Sequence, residues 1–360
     1  MKLSFFILLL VLTSCSFNDS IEQKKIINGS IKYAKHFNLI NKNQSNVLQI
    51  FDPETHNIQR EYIISAEPLE LEHNIVAPIK SIIPLSSTHV GMLSVLKSLN
   101  SIVAISDSNY VYNPFLLKDI NIGKVEQVGG EGMESSEKIL KLRPNVLMYS
   151  GFGKEFKKEK QLEKFGINCI PNYDWRELHP LGKAEWIKVF GALLGKEKEA
   201  NDYFNEIEKA YFKLTNQVRS IQNKKSILSG HLVGDIWFAP AGDSYNAQFF
   251  KDANVDYVYA DSEGTGSIKK SLEEIIHENK STDYWLNCNS LCLNDLAFLQ
   301  KKYAFLLPFQ KGQVYDYNIN GQLFWEMSAI EPHKVLSDLI NIVYPSVLKE
   351  NKLYFYSQLK

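Results

Sequence analysis

Arginine is the scarcest charged residue in this chain, which has only Arg60, Arg143, Arg176 and Arg219. The formal net charge is −1 and Lys and Glu are interspersed, so no basic patch forms and nucleic acid is not an expected partner. Cysteine is equally rare, with Cys15, Cys169, Cys288 and Cys292 alone. No histidine pattern accompanies them, which makes the zinc argument weak. Cys288 and Cys292 are close enough to close a small disulfide, leaving Cys169 as a buried thiol. Catalytic signatures are missing too. There is no Gly-x-Ser-x-Gly, Walker A or His-Glu-x-x-His pattern. Gly264-Thr265-Gly266-Ser267 is a lone glycine-rich loop, and Glu273-Glu274 alternate faces of a helix instead of converging. The chain is therefore not expected to be an enzyme. Long apolar runs are also scarce: Leu3 to Leu12, after Met1-Lys2, is too short to span a bilayer as a mature helix.

That run reads instead as a secretory signal. Leu12-Thr13-Ser14-Cys15 resembles the bacterial lipobox, in which the cysteine is lipidated and becomes the first residue. The expectation is a signal peptide over 1–14 and a lipid on Cys15 that tethers the protein to a membrane without inserting it. A polar tether follows over residues 16–30.

A repeated segment governs the rest. Ser135-Ser136-Glu137-Lys138-Ile139-Leu140 recurs as Ser271-Leu272-Glu273-Glu274-Ile275-Ile276, and each copy precedes an apolar, strand-like run (Val146–Tyr149 and Asp283–Leu286). The two glutamates stand about one domain's length apart, which predicts two similarly built lobes. Strand and helix patterns alternate around each copy, arguing for parallel sheets flanked by helices. Val47–Phe51 and Ile58–Ile63, around the turn-rich Asp52–Asn57, predict a hairpin ahead of the first lobe. Between the lobes, Lys183–Leu194 and then Glu197 to about Ile221 predict helices, the second with a sustained apolar stripe at 3.6-residue spacing. The expected division is signal peptide 1–14, tether and hairpin extension 15–74, N-terminal lobe 75–180, inter-lobe helices 181–222, C-terminal lobe 223–346 and tail 347–360.

Four stretches carry a family likeness: Glu137–Leu147, Pro180–Gly195, Trp237–Asn254 and Glu331–Pro345. In this order and spacing they resemble the substrate-binding lipoproteins of the iron–siderophore and vitamin B12 family of ABC importers, over roughly residues 75–345. Asn145 departs from the family's usual aspartate. The resemblance implies an α/β fold of class III type: two α/β lobes with central parallel-type sheets joined by one long inter-lobe helix. It also implies a monomer in the cell envelope, facing the periplasm or exterior. The ligand, an iron chelate (siderophore or haem) or cobalamin, would lie in the cleft between lobes, with no resident cofactor and no metal held by the protein itself. Docking on an ABC permease dimer would use one glutamate per lobe, and Glu137 and Glu273 match those positions. A carboxylate in a first helical turn is favoured by the helix dipole and, left unpaired, can meet an arginine of the partner.

A ligand in such a cleft meets the loops at the strand ends that face the other lobe. Those loops offer Tyr110, Tyr112, Tyr173, Trp175, Arg176, Trp237, Tyr245 and Trp325 as ligand-binding candidates. Arg176 is the one arginine in a cleft loop, and a planar guanidinium suits carboxylate or chelate oxygens. The alternative is direct zinc or manganese capture, which needs histidines converging on one ion. His89, His179 and His231 are the candidates for that route.

Overall fold

The computed structural model describes residues 31–42, 45–130, 133–151, 158–317 and 322–360. The signal peptide, Cys15 and the polar tether lie outside the described residues.

The first element is larger than the predicted hairpin. Strands Phe37–Lys42, Ser45–Phe51 and Ile58–Ser65 form an antiparallel meander, and Asn74–Val76 adds in parallel to the third. The Asp52–Asn57 turn closes as a side-chain-capped loop, with Asp52 Oδ1 accepting from the amides of Glu54 and Thr55 at 2.9 and 2.7 Å. Leu48, Ile50, Tyr62 and Ile64 are buried on the sheet's inner side. They join the main core, and the Tyr62 hydroxyl donates to the Cys169 carbonyl. The extension thus packs on the first lobe.

In that lobe, strands Ile82–Pro84, Val146–Ser150 and Asn168–Asn172 run parallel, and Ala104–Ile105 pairs in parallel with Glu126–Gln127. Helices cover both faces of a parallel sheet, so its strands read as continuous apolar runs. Ile82, Val146, Met148 and Ile170 face the main core, while Ile83, Leu147 and Cys169 face a smaller cluster on the opposite side. This is the period-two alternation of a strand. Asn145 takes up the strand entry: its Oδ1 accepts from the amides of Lys80 and Ser81 at 2.9 and 3.0 Å. The amide oxygen fills the acceptor role that a carboxylate would otherwise take there.

The linking region begins with Pro180–Glu185 and continues as Ile187–Leu194, so the single helix predicted over 183–194 is two, separated at Trp186. Gly195, in the left-handed region at φ 62°, ends the second. Glu197–Val218 follows, 22 residues long, or about 33 Å at ~1.5 Å per residue. Ala200, Phe204, Ile207, Tyr211 and Val218 form its buried stripe.

The second lobe has a sheet in the order Asp256–Tyr257, Ser226–Ser229, Tyr284–Leu286, Val314–Tyr317, Tyr356–Gln358. The first four strands are parallel, and the last is antiparallel. That last strand comes from the segment expected to be a tail. Beside this sheet, His231–Val233, Ile236–Pro240 and Ser267–Ser271 form a small antiparallel sheet. The glycine-rich loop leads directly into its third strand.

The repeat is visible in three dimensions. Ser135 caps helix Ser136–Leu142 and Ser271 caps Leu272–Glu278, with Glu137 and Glu273 each the second helical residue. A buried parallel strand follows each helix. The caps differ in one respect: Ser271 forms a reciprocal capping box with Glu274, whereas the Ser135 side chain accepts from the Lys138 amide.

Candidate functional site

In both lobes the loops at the C-terminal ends of the parallel strands carry the candidate residues. In the first lobe these are the segment after Ala104–Ile105 and the segment after Asn168–Asn172. In the second, the chain after Val314–Tyr317 enters helix Gln322–Met327. This short helix lies across helix Ser87–Val95 of the first lobe and brings the two walls together.

Tyr110 is exposed, and its carbonyl accepts from Ser87 Oγ at 2.7 Å. Tyr112 is half-buried. Its amide donates to Glu326 Oε1 at 2.6 Å, and the Asn113 amide donates to the same oxygen at 2.9 Å. Burial, with the Glu326 charge beside it, pushes the Tyr112 hydroxyl pKa up. Trp325, next in sequence to Glu326, is 53% exposed and meets Phe324 and Tyr317 edge-on. The Tyr112 backbone of one lobe is thus tied to the Glu326 side chain of the other, one residue along the chain from Trp325.

Tyr173, Trp175 and Arg176 form a second group, engaged by the N-terminal sheet. Tyr173 is buried and donates from its hydroxyl to Gln59 Oε1 at 2.8 Å. The Arg176 guanidinium lies 5.2 Å from the Trp175 ring centroid and is ion-paired to Glu54 in the hairpin turn. The cation proposed for an anionic ligand already has an anion beside it. Glu54 is largely exposed, and an exposed pair of this kind contributes little and exchanges readily.

Two candidates are placed elsewhere. Trp237 has no exposed surface; it packs on Trp285 at 5.4 Å between centroids, and its Nε1–H donates to the Ser229 carbonyl at 3.2 Å. An enclosed ring offers a ligand no face, and nothing in an apolar strand sequence distinguishes an inward tryptophan from an outward one. Tyr245 lies beneath Lys183, whose Nζ is 3.9 Å from the ring centroid. The cavity beside them holds about 10 Å³, room for a single water.

Of the two docking candidates, Glu137 is exposed. Glu273, expected to stand unpaired, is ion-paired with Lys302 though 66% exposed. The hydrogen bond from Lys302 holds its carboxyl below the usual range.

The residues considered for direct metal capture are dispersed. His89 is fully buried. His179 Nδ1 accepts from the Leu181 amide at 3.0 Å as a helix cap, and His231 lies by the Asn287 carbonyl. Among the described residues no group of three or more His, Cys, Asp or Glu could hold an ion. Cys169, Cys288 and Cys292 are free thiols, so the small disulfide is not formed. Sequence reasoning missed Glu54 and Glu326, whose partners lie more than a hundred positions away. The only available signal was Glu326's adjacency to Trp325.

Residues 82–306 match the family model described as periplasmic binding protein, and the chain belongs to that family of solute-binding proteins. Similar chains include an uncharacterised lipoprotein of Methanocaldococcus jannaschii, 26% identical over 292 residues covering 78% of this chain and 69% of the relative. Similar solved structures include the periplasmic haem-binding protein HutB of Vibrio cholerae. It has a TM-score of 0.61 and 15% identity, covering 74% of this chain and 99% of the other. A possible iron-binding, periplasmic solute-binding protein of Staphylococcus epidermidis has a TM-score of 0.59 and 17% identity, also covering 74% and 99%. The two lobes and the linking helix are those of the class III binding-protein fold. Among the described residues, no helix is long and apolar enough to cross a membrane.

Proposed function

We propose that this protein is the substrate-binding lipoprotein of an ABC importer. It captures an iron chelate (siderophore or haem) or cobalamin between its lobes and delivers it to a membrane permease dimer. The observation that carries this reading is the joint at the strand ends, where the Tyr112 loop of one lobe is tied to Glu326, next to Trp325, of the other. Two aromatic residues from opposite walls suit a large, flat or chelating ligand. Trp175 and Arg176 add a stacking surface and a cation, and Tyr110 lies on the rim. Tyr173 holds the Trp175–Arg176 loop from behind through its bond to Gln59, while Trp237 and Tyr245 stand apart from this arrangement. The names of the haem- and iron-binding structural neighbours support the same class of ligand. Glu137 and Glu273 are the proposed permease contacts, and Cys15 the anchor.

The test is a titration of the purified protein with ferric siderophores, haemin and cobalamin, following tryptophan fluorescence. One class should quench emission saturably, and Trp175→Ala or Arg176→Ala should weaken that ligand about tenfold, roughly 1.4 kcal/mol. If none of the panel binds while protein purified without chelator carries stoichiometric zinc or manganese, the reading is wrong.

A further inference from the structure

Helix Gln322–Met327 meets the first lobe backbone to backbone. A Cβ added at Gly91, on helix Ser87–Val95, would stand 1.9 Å from the Glu326 carbonyl oxygen, so only glycine permits the approach. At this crossing the Glu326 side chain is 1% exposed. Burying a carboxylate is expensive unless it is hydrogen-bonded or paired. The partners the structure gives it are the Tyr112 and Asn113 amides, both in the other lobe, at 2.6 and 2.9 Å. Burial pushes its carboxyl pKa up, and the two amides oppose that shift. Asn113 in turn caps helix Pro114–Asn121, its Oδ1 accepting from the amides of Phe115 and Leu116. One oxygen of the second lobe therefore anchors a loop of the first at the point where that loop becomes a helix. Neither lobe needs this bond for its own sheet.

We propose that Glu326 is a positioning residue of the ligand site: it ties the Tyr110–Asn113 loop to the helix bearing Trp325. Tyr112 and Trp325 are thereby held at one separation, and the cleft is formed before the ligand arrives. The inference rests on the ligand reading above. A wall fixed in this way favours a large rigid ligand, since a small or flexible one would gain little from a set spacing.

Three variants test it. Glu326→Leu keeps the bulk and removes the acceptor, Glu326→Gln keeps one acceptor oxygen, and Gly91→Ala separates the helices without touching the carboxylate. Amide exchange, read without ligand, should speed up about tenfold or more across Tyr110–Asn113 in Glu326→Leu and Gly91→Ala, and less in Glu326→Gln. Exchange in the strands of either lobe should not change. Affinity for haemin, ferric siderophore and cobalamin, with all three probes titrated, should fall in the same order for the one that binds, by about tenfold for Glu326→Leu. Unchanged exchange across Tyr110–Asn113 in Glu326→Leu and Gly91→Ala overturns the joint. Faster exchange with unaltered affinity for the probe that binds overturns its positioning role. If the unaltered protein binds none of the three probes, the ligand reading falls and the positioning role with it, while the exchange result still decides whether the joint exists.

Discussion

His89 shows how far a single residue can be read. It has no exposed surface, and among the described residues neither ring nitrogen finds a well-formed hydrogen bond, although the Asp174 carboxylate and the Met148 carbonyl lie close by. Burial, only partly offset by Asp174, pushes its pKa down to about 4. The folded value lies below the ordinary one of about 6.5, so the contribution to stability is complete above about pH 6.5. It is lost as pH falls towards 4, at up to about 1.4 kcal/mol per unit. Replacing it with methionine should therefore flatten the loss of stability between about pH 7 and pH 5, measured by urea unfolding at both values. Parallel losses in the two proteins would show that His89 takes up its proton in the folded state much as it does unfolded, so that burial does not depress it. Local features at this scale were legible in the sequence: Ser86 and Ser244 each cap the helix that follows them. The partners of Glu54 and Glu326 were not, because they lie in other elements and no local propensity points to them.

At the scale of elements, one device recurs: a buried acid collects backbone amides from a distant segment. Glu185 accepts from the amides of Lys32, Tyr33 and Ala34, and Glu177 from those of Lys35 and His36. Together they stitch the start of the N-terminal sheet to the linking helices. Asp338 does the same for the C-terminal strand, accepting from Tyr354, Phe355 and Tyr356 at 2.7, 2.7 and 3.1 Å. Burial outweighs these three bonds and raises the Asp338 carboxyl to about 6. Asp338→Ala should cost roughly 2–4 kcal/mol and, by freeing the backbone that follows, speed trypsin cleavage after Lys349 and Lys352, which are already exposed, as a time course on the native protein would reveal. A digestion pattern like that of the unaltered protein would mean the strand is held by its ladder alone. This also explains why the segment read as a tail: Tyr356–Gln358 is three residues long, too short for a periodic signal, and a residue outside it holds it in place.

For the whole molecule, the two-lobe plan was legible because the repeat appears twice, each copy with a serine two places before a glutamate and a strand-like run soon after. The route from sequence to docking is longer, since Glu137 and Glu273 become contacts only through a partner. Replacing both with glutamine should reduce cellular uptake of the cognate ligand at least about tenfold and leave its affinity for the purified protein unchanged. Uptake that survives the double substitution would falsify the assignment. Glu273 would exchange Lys302 for a partner's cation, and salt weakens both pairs, so its contribution should be less sensitive to salt than that of Glu137.

The five tryptophans divide into two optical populations. Trp186, Trp237 and Trp285 have no exposed surface, whereas Trp325 is more than half exposed and Trp175 is partly so. Iodide should quench the second set and leave the first emitting at shorter wavelength. Any loss of the blue component when a coloured chelate binds is then energy transfer across the lobes, and only the red component reports contact.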